Sequence, residues 1–392
     1  MNLAAVLDGL RPARATVDLD RLAANFRAVQ AASAVPLMPV VKADAYGHGA
    51  AHVGRHLESA GAQRLAVAYV EEGIALRTAG VKVRIVILAG FGQGQANLLR
   101  EHALVPVIST GRMLEWILKD ARGSRPPLPV HVKVDTGMTR LGFAPARFDE
   151  AVSRLAESRD VAVEGLMTHL ASADEDGPAT ARQLDLFDEC VARLAKRGIR
   201  PALIHAANSA GLAFLRPTHT LARPGLLLYG VRPRPLCPPV SVRPVMSVSA
   251  DIARIQEVPG GTTVSYGGRW VAPRPSRIAT VPLGYADGVP RTDRMREEGR
   301  MVVRGGRTPV AGTVCMDLTM LDVTDRPEVV EGDEAVLFGD EPTAWDLADR
   351  AGTNAWEILT RVGARVPRVY VEGGRVVGVE SRYSPPLVPE RV

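Results

Sequence analysis

From residue 11 to about residue 230 the chain alternates short apolar runs with longer stretches in which apolar positions recur three and four apart. The runs at residues 37–43, 65–69, 84–88, 104–108, 130–135, 163–169, 203–205 and 226–229 predict strands buried on both faces. Residues 20–32, about 50–60, 71–79, 111–120, 148–158 and 179–197 read as amphipathic helices between them. Eight strand–helix units of this length predict a TIM-like (β/α)8 barrel over residues 11–235.

The pattern then changes. Five prolines between Arg232 and Pro244 make that stretch a poor helix and a good linker. Beyond it, β-branched runs are separated by glycine turns, at residues 242–258, 276–283, 301–304, 319–323 and 334–338. Two short helices follow at 344–351 and 355–360, and a final strand pair lies around 366–379. Residues 236–392 are therefore expected to form a mostly-β C-terminal domain, with which residues 1–10 could pack.

A length of 392 residues suffices for two cores, and 46% hydrophobic with 23% charged residues is ordinary for a globular enzyme. The net charge of +5 comes from scattered basic residues rather than runs, which argues against a nucleic-acid surface. Cys190, Cys237 and Cys315 are far apart, so neither a metal-ligand spacing nor a disulfide framework is expected. With no basic leader and no apolar stretch of bilayer length, the expected location is the cytoplasm.

Barrel enzymes carry their chemistry at the carboxyl ends of the strands. Lys42, Lys133, Arg140, His169, Ser209 and Arg223 fall at or near that face on this strand map, Arg223 least well because it precedes the eighth run. Of only five lysines, Lys119 and Lys196 sit late in helices and Lys82 lies at the opposite face. Lys42 and Lys133 remain as amines that could bind a carbonyl cofactor. A strand-end lysine by itself most often just snorkels, but burial at a strand end also lowers an amine's pKa and makes it nucleophilic. After Lys42, Tyr46, Gly47 and Gly49 provide a tight turn before a helix, which suits an anion site. Ser209 at a helix start and Gly225 beside Pro224 suit a phosphate; singly, each reads equally as a cap or a turn.

The segment from Val40 to Gly49 (VVKADAYGHG) resembles the cofactor-lysine motif of alanine racemases, pyridoxal-phosphate enzymes that interconvert L- and D-alanine. Further matches follow in order: KVDTGMTRLG from Lys133, THLASAD from Thr168, HAANS from His205 and RPG at Arg223. VSYG from Val264, GYADG from Gly284 and GTVCMD from Gly312 complete the series. The likeness spans about residues 11 to 380.

The resemblance implies pyridoxal 5'-phosphate on Lys42, with contacts from Tyr46, His169, Asn208, Ser209, Arg223, Gly225 and Leu226. It implies Lys42 and Tyr266 as two bases exchanging a proton at Cα from opposite faces. It also implies Arg140, Tyr285, Met316 and Asp317 at the substrate, Lys133 at the position of a lysine that is frequently carbamylated in the family, and no metal. In the family, Tyr266, Tyr285, Met316 and Asp317 would come from the second chain of a homodimer, and D-alanine would supply peptidoglycan. Arg223 facing the pyridine nitrogen would donate a hydrogen bond without giving up a proton, limiting side reactions. One position departs: Trp356 stands where the family usually has a tyrosine at the phosphate. Indole donates but does not accept, which keeps open a racemase of broader range, acting for example on serine. Fold-related amino-acid decarboxylases and a non-enzymatic cofactor carrier are weaker alternatives, opposed by Arg223 with Tyr266 and by the β domain respectively.

Overall fold

The first strand, β1 (Ala13–Asp18), does not join the barrel that its position in the chain suggested. In the computed structural model, which describes residues 11–382, two compact units form. The barrel unit takes residues 22–45 and 50–242; the second takes β1, Tyr46–Gly49 and the chain from Arg243 onward. The expected packing of residues 1–10 lies outside the described residues.

Six parallel strands of the barrel unit pair in chain order: β2 (Arg64–Val67), β3 (Arg84–Ile87), β4 (Leu104–Ile108), β5 (Leu128–Lys133), β6 (Val161–Met167) and β7 (Leu203–His205). All five residues of β4 are buried, as a strand covered on both faces requires. The helices between them bury one stripe. In Gly177–Lys196, Leu184, Phe187, Cys190 and Leu194 face inward, and Asp176 Oδ1 accepts from Ala179 N at 2.8 Å to cap the start.

The two remaining staves differ from expectation. The run at 37–43 does not form a regular strand, because Pro36 and Pro39 have no N–H to give a ladder. Val40 still bridges Ala66 and Leu37 bridges Ala222, with Val41 N–Ala66 O and Met38 N–Ala222 O both at 2.8 Å. The eighth stave is residues 220–224 rather than 226–229. Thr220 N donates to Ile204 O and Arg223 N to Ala207 O on one side, while Val40 N donates to Pro224 O on the other, each at 2.9 Å. Leu226–Tyr229 is instead a buried 3-10 turn. Four buried apolar residues read alike as strand or helix. The shift resolves the poor fit of Arg223, which now ends the eighth stave.

In the second unit, β1 lies inside a seven-stranded sheet of order β14-β13-β16-β8-β1-β17-β18. Its members are β8 (Met246–Asp251), β13 (Arg300–Val303), β14 (Gly306–Pro309), β16 (Glu334–Phe338), β17 (Arg368–Glu372) and β18 (Arg375–Glu380). β1 runs parallel to β17 and antiparallel to β8, and buries Ala13, Ala15 and Val17. The single strand expected at 242–258 is two strands, because the chain breaks at Ile252–Ala253 and passes to another sheet. There β9 (Arg254–Val258) pairs with β12 (Ser276–Val281), which pairs with β15 (Thr319–Asp322). A short hairpin joins β10 (Thr263–Val264) to β11 (Trp270–Val271). The helices Ala344–Ala351 and Ala355–Thr360 form as expected.

Candidate active site

Lys42 follows the first stave and opens a single turn of left-handed helix. The φ angles of Ala43, Asp44, Ala45 and Tyr46 are 52°, 53°, 53° and 54°, and that of Gly47 is 80°. Each non-glycine residue there costs about 1–2 kcal/mol, so the surrounding structure must hold the turn. Strain of this kind concentrates where function needs a side chain aimed. Gly47 and Gly49 end the turn because nothing else fits: both have positive φ, and a Cβ on Gly49 would overlap the Tyr370 hydroxyl.

The other barrel candidates converge at the same end of the staves. Lys133 ends β5 and is buried, His169 lies two residues beyond β6, and Arg223 ends the eighth stave. Burial lowers the Lys42 pKa, and Arg140 and Arg223 lower it further against the opposing charge of Glu72. Lys133 is pushed down to about 8 by burial and then by Arg223, Arg140 and Lys42, with Asp135 opposing. Asp135 organises the loop that carries Arg140, its Oδ1 accepting from the N–H groups of Gly137, Met138 and Thr139 at 2.9–3.1 Å. The result is a mouth rich in cationic and amine groups, suited to an anionic ligand.

Arg223 is fully enclosed. It donates to the carbonyl oxygens of His205 and Thr168 at 2.8 Å and Ala206 at 3.0 Å, to His205 Nδ1 at 2.7 Å and to His169 Nδ1 at 3.4 Å. Burial, then Arg223, holds His205 and His169 well below the ordinary histidine range, so both rings are neutral at pH 7. A neutral His205 that accepts at Nδ1 carries its proton on Nε2 and donates it to His131 Nδ1, 2.8 Å away. The His131–His205 pair escaped the sequence reading. One trace of it exists, since Gly165 on the neighbouring strand leaves room for the His131 ring.

Ser209 does not cap its own helix. Its Oγ accepts from Gly225 N at 3.0 Å and Leu227 N at 3.3 Å, joining the two loops expected to hold phosphate. Capping falls to Asn208, whose Oδ1 accepts from Gly211 N at 2.8 Å.

The second unit gathers the other candidates. Tyr266 is 69% exposed, Met316 51% and Tyr285 41%, and Tyr266, Met316 and Asp317 border a cleft of about 290 Å³ with Ser265, Cys315 and Leu318. Tyr285 N donates to Cys315 O and Ala286 N to Met316 O, both at 3.0 Å. Arg365 ties this loop down, donating to Asp317 Oδ1 at 2.6 Å and to the fully buried Asp287 at 2.7 Å. Arg11 pairs with Asp287 from another direction at 2.6 Å. Tyr46 and Trp356 also belong to this unit. Burial pushes the Tyr46 phenol above its usual range, and Trp356 packs edge-on against Trp345 with centroids 5.8 Å apart.

Asp287→Asn is expected to lower unfolding free energy by about 3 kcal/mol, because Arg11 loses its charge partner and Arg365 is left with Asp317 alone. Burial pushes this carboxyl up, but hydrogen bonds from Arg11 and Arg365 outweigh that and hold it below the ordinary range. Its contribution is therefore full above about pH 4 and disappears as pH falls through the lower folded-state value. Urea melts of both proteins at pH 7 and in acid check the magnitude and the sign.

Residues 17–233 match the family model of the alanine racemase N-terminal domain, and residues 245–370 match that of the C-terminal domain. The chain belongs to the alanine racemase family. An alanine racemase from Halothermothrix orenii is 42% identical over 369 residues, 92% of this chain and 97% of that one. The crystal structure of an alanine racemase from Streptomyces lavendulae, a D-cycloserine producer, superposes with a TM-score of 0.85 at 38% identity, covering 93% and 98% of the two chains. One from Clostridium difficile gives 0.88 at 31% identity, covering 94% and 98%. Both family domains are thus present, the barrel and the mostly-β domain.

Proposed function

We propose that this alanine racemase family isomerase interconverts L- and D-alanine on pyridoxal 5'-phosphate carried by Lys42. The observation that carries the cofactor assignment is the donor set of the barrel mouth. Two amines and two guanidinium groups, with a serine hydroxyl already bridging Gly225 and Leu227, fit a phosphorylated aromatic aldehyde. Tyr46, His169, Asn208, Ser209, Arg223, Gly225, Leu226 and Trp356 would hold it. Bound there, it would supply electron withdrawal that acidifies Cα of an amino acid.

The remaining chemistry belongs to the chain's own residues. Lys42, with its lowered pKa, takes or returns the Cα proton on one face. Tyr266 does so on the other, and its exposure in the second unit leaves the hydroxyl reachable by a second copy of the chain. Burial lowers the Arg223 pKa to about 9, so it is still a cation at neutral pH, held by carbonyl oxygens and neutral imidazoles. Those contacts oppose the decarboxylase alternative, which would place a carboxylate there. Arg140, the Met316 N–H and Asp317, with Tyr285, bind the substrate. Carbamylation of Lys133 would relieve its repulsion from Arg140 and is favoured by an amine whose pKa is near 8. Trp356 in place of the family's tyrosine is the ground for a second reading, a racemase of broader range that also acts on amino acids such as serine.

Among the described residues no helix is long and apolar enough to cross a membrane. We place the protein in the cytoplasm as a homodimer, making D-alanine for peptidoglycan. Incubation with a panel of L-amino acids, followed by chiral separation, tests the reaction; formation of D-alanine alone supports the narrow reading, and no D-product at all overturns both. Borohydride reduction should fix the cofactor on the peptide containing Lys42. A label on Lys133 or Lys196 would move the assignment.

A further inference from the structure

The left-handed turn behind Lys42 has to be held in place, and two carboxylates of the barrel unit do this, one from the turn itself and one from outside it. Asp44 Oδ1 accepts from Ala50 N at 2.7 Å and closes the far end. The near end is held by a residue from a different βα unit. Glu72 belongs to the helix Val70–Thr78, and its Oε2 accepts from Ala68 N at 2.6 Å and Tyr69 N at 3.2 Å. That is the ordinary duty of a glutamate in the first turn, and one oxygen satisfies it. The second oxygen is turned elsewhere: Oε1 accepts from Ala43 N, the amide following Lys42, at 2.6 Å.

We propose that Glu72 is a positioning residue for Lys42, tying the chain just after the lysine to the neighbouring βα loop. The proposal rests on the reading of Lys42 as the cofactor lysine. The charged groups acting on this amine are Arg140 and Arg223, which add to burial in lowering its pKa, and Glu72, which raises it; Lys133 is close enough to feel it in turn. Removing the Glu72 charge therefore lowers the pKa of Lys42 further. Removing the Ala43 contact loosens a turn whose own backbone angles do not favour it.

The test uses the full chain, freed of carbonyl cofactor with hydroxylamine and labelled by acetic anhydride across a range of pH, with each lysine read by peptide mass. In Glu72→Gln the midpoint for Lys42 should fall by at least about half a pH unit, while those of Lys119 and Lys196 stay in place. Amide exchange over residues 42–47 should rise by about tenfold or more. Glu72→Asp keeps the charge but is one methylene short. It should retain the Lys42 midpoint and still lose exchange protection. If Glu72→Gln matches wild type in both readouts, Glu72 only caps its own helix and the proposal is overturned. Should the Gln variant fail to fold in a melting experiment, unchanged protection over 42–47 in Glu72→Asp overturns it equally. These readouts follow the amine whether or not it carries the cofactor, so a borohydride label elsewhere fails the earlier reading separately.

Discussion

Tyr266→Phe should lower alanine racemisation by roughly 10²- to 10⁴-fold, the range that one acid–base group contributes, with the cofactor still bound. The phenol sits on a 3-10 turn behind Ser265, whose φ of 67° and hydrogen bond to Thr313 O at 2.5 Å fix the backbone there. Phenylalanine keeps the ring and removes only the hydroxyl, so the turn should survive. A tyrosine at its free pKa near ~10 is a poor match for proton transfer at neutral pH. On the barrel side, neutral His169 accepts from Arg223 at Nδ1 and so carries its proton on Nε2, which in the proposed two-chain site would donate to a phenolate. The two-face scheme makes a sharper demand than loss of rate. In D₂O, exchange of the Cα hydrogen should persist for the one enantiomer whose hydrogen faces Lys42, and cease for the other. Near-wild-type racemisation by Tyr266→Phe, or equal loss of exchange from both enantiomers, would sink the two-base assignment.

Most of the barrel was legible because its central strands are short, largely apolar runs between helical patterns, and β4 tolerates its single Pro106; β4 and β7 have the expected limits residue for residue. The two staves that close the ring were not, and prolines explain both. Pro36 and Pro39 leave only isolated bridges around Val40, and Pro224 with Gly225 diverts Leu226–Tyr229 into a turn. Strand β1 was missed for a different reason: a local pattern cannot say which sheet it will join. The site residues at strand ends were visible because a charged residue after an apolar run is conspicuous. Their support was not. Four successive left-handed residues have no sequence signal beyond the glycines that end them, and Glu72 looks like any helix-start glutamate. His131 and His205 lie within strands with no pattern that marks them as partners, and only the structure shows them linked to each other and to Arg223.

The second large effect is a recovery of activity from two inactive proteins. Lys42 lies in the barrel unit, while Tyr266, Tyr285 and Met316 are exposed on the other unit. Apolar side chains lie outward around a cleft there, with their loop locked by Arg365, which is compatible with the proposed dimer. In a C2 dimer with shared sites, each site takes its barrel from one chain and its tyrosine from the other. A mixed dimer of Lys42→Ala and Tyr266→Phe chains then has one site carrying both lesions and one carrying neither. About half the sites of such a dimer regain full competence, and random exchange, which makes half the dimers mixed, restores about a quarter of all sites. Either variant alone stays inactive at every site. Subunit exchange can be verified by native mass spectrometry with one chain isotope-labelled. If Lys42 and Tyr266 served a site within the same chain, every site in every mixture would keep one lesion, so verified exchange with no returning activity would rule out the shared site.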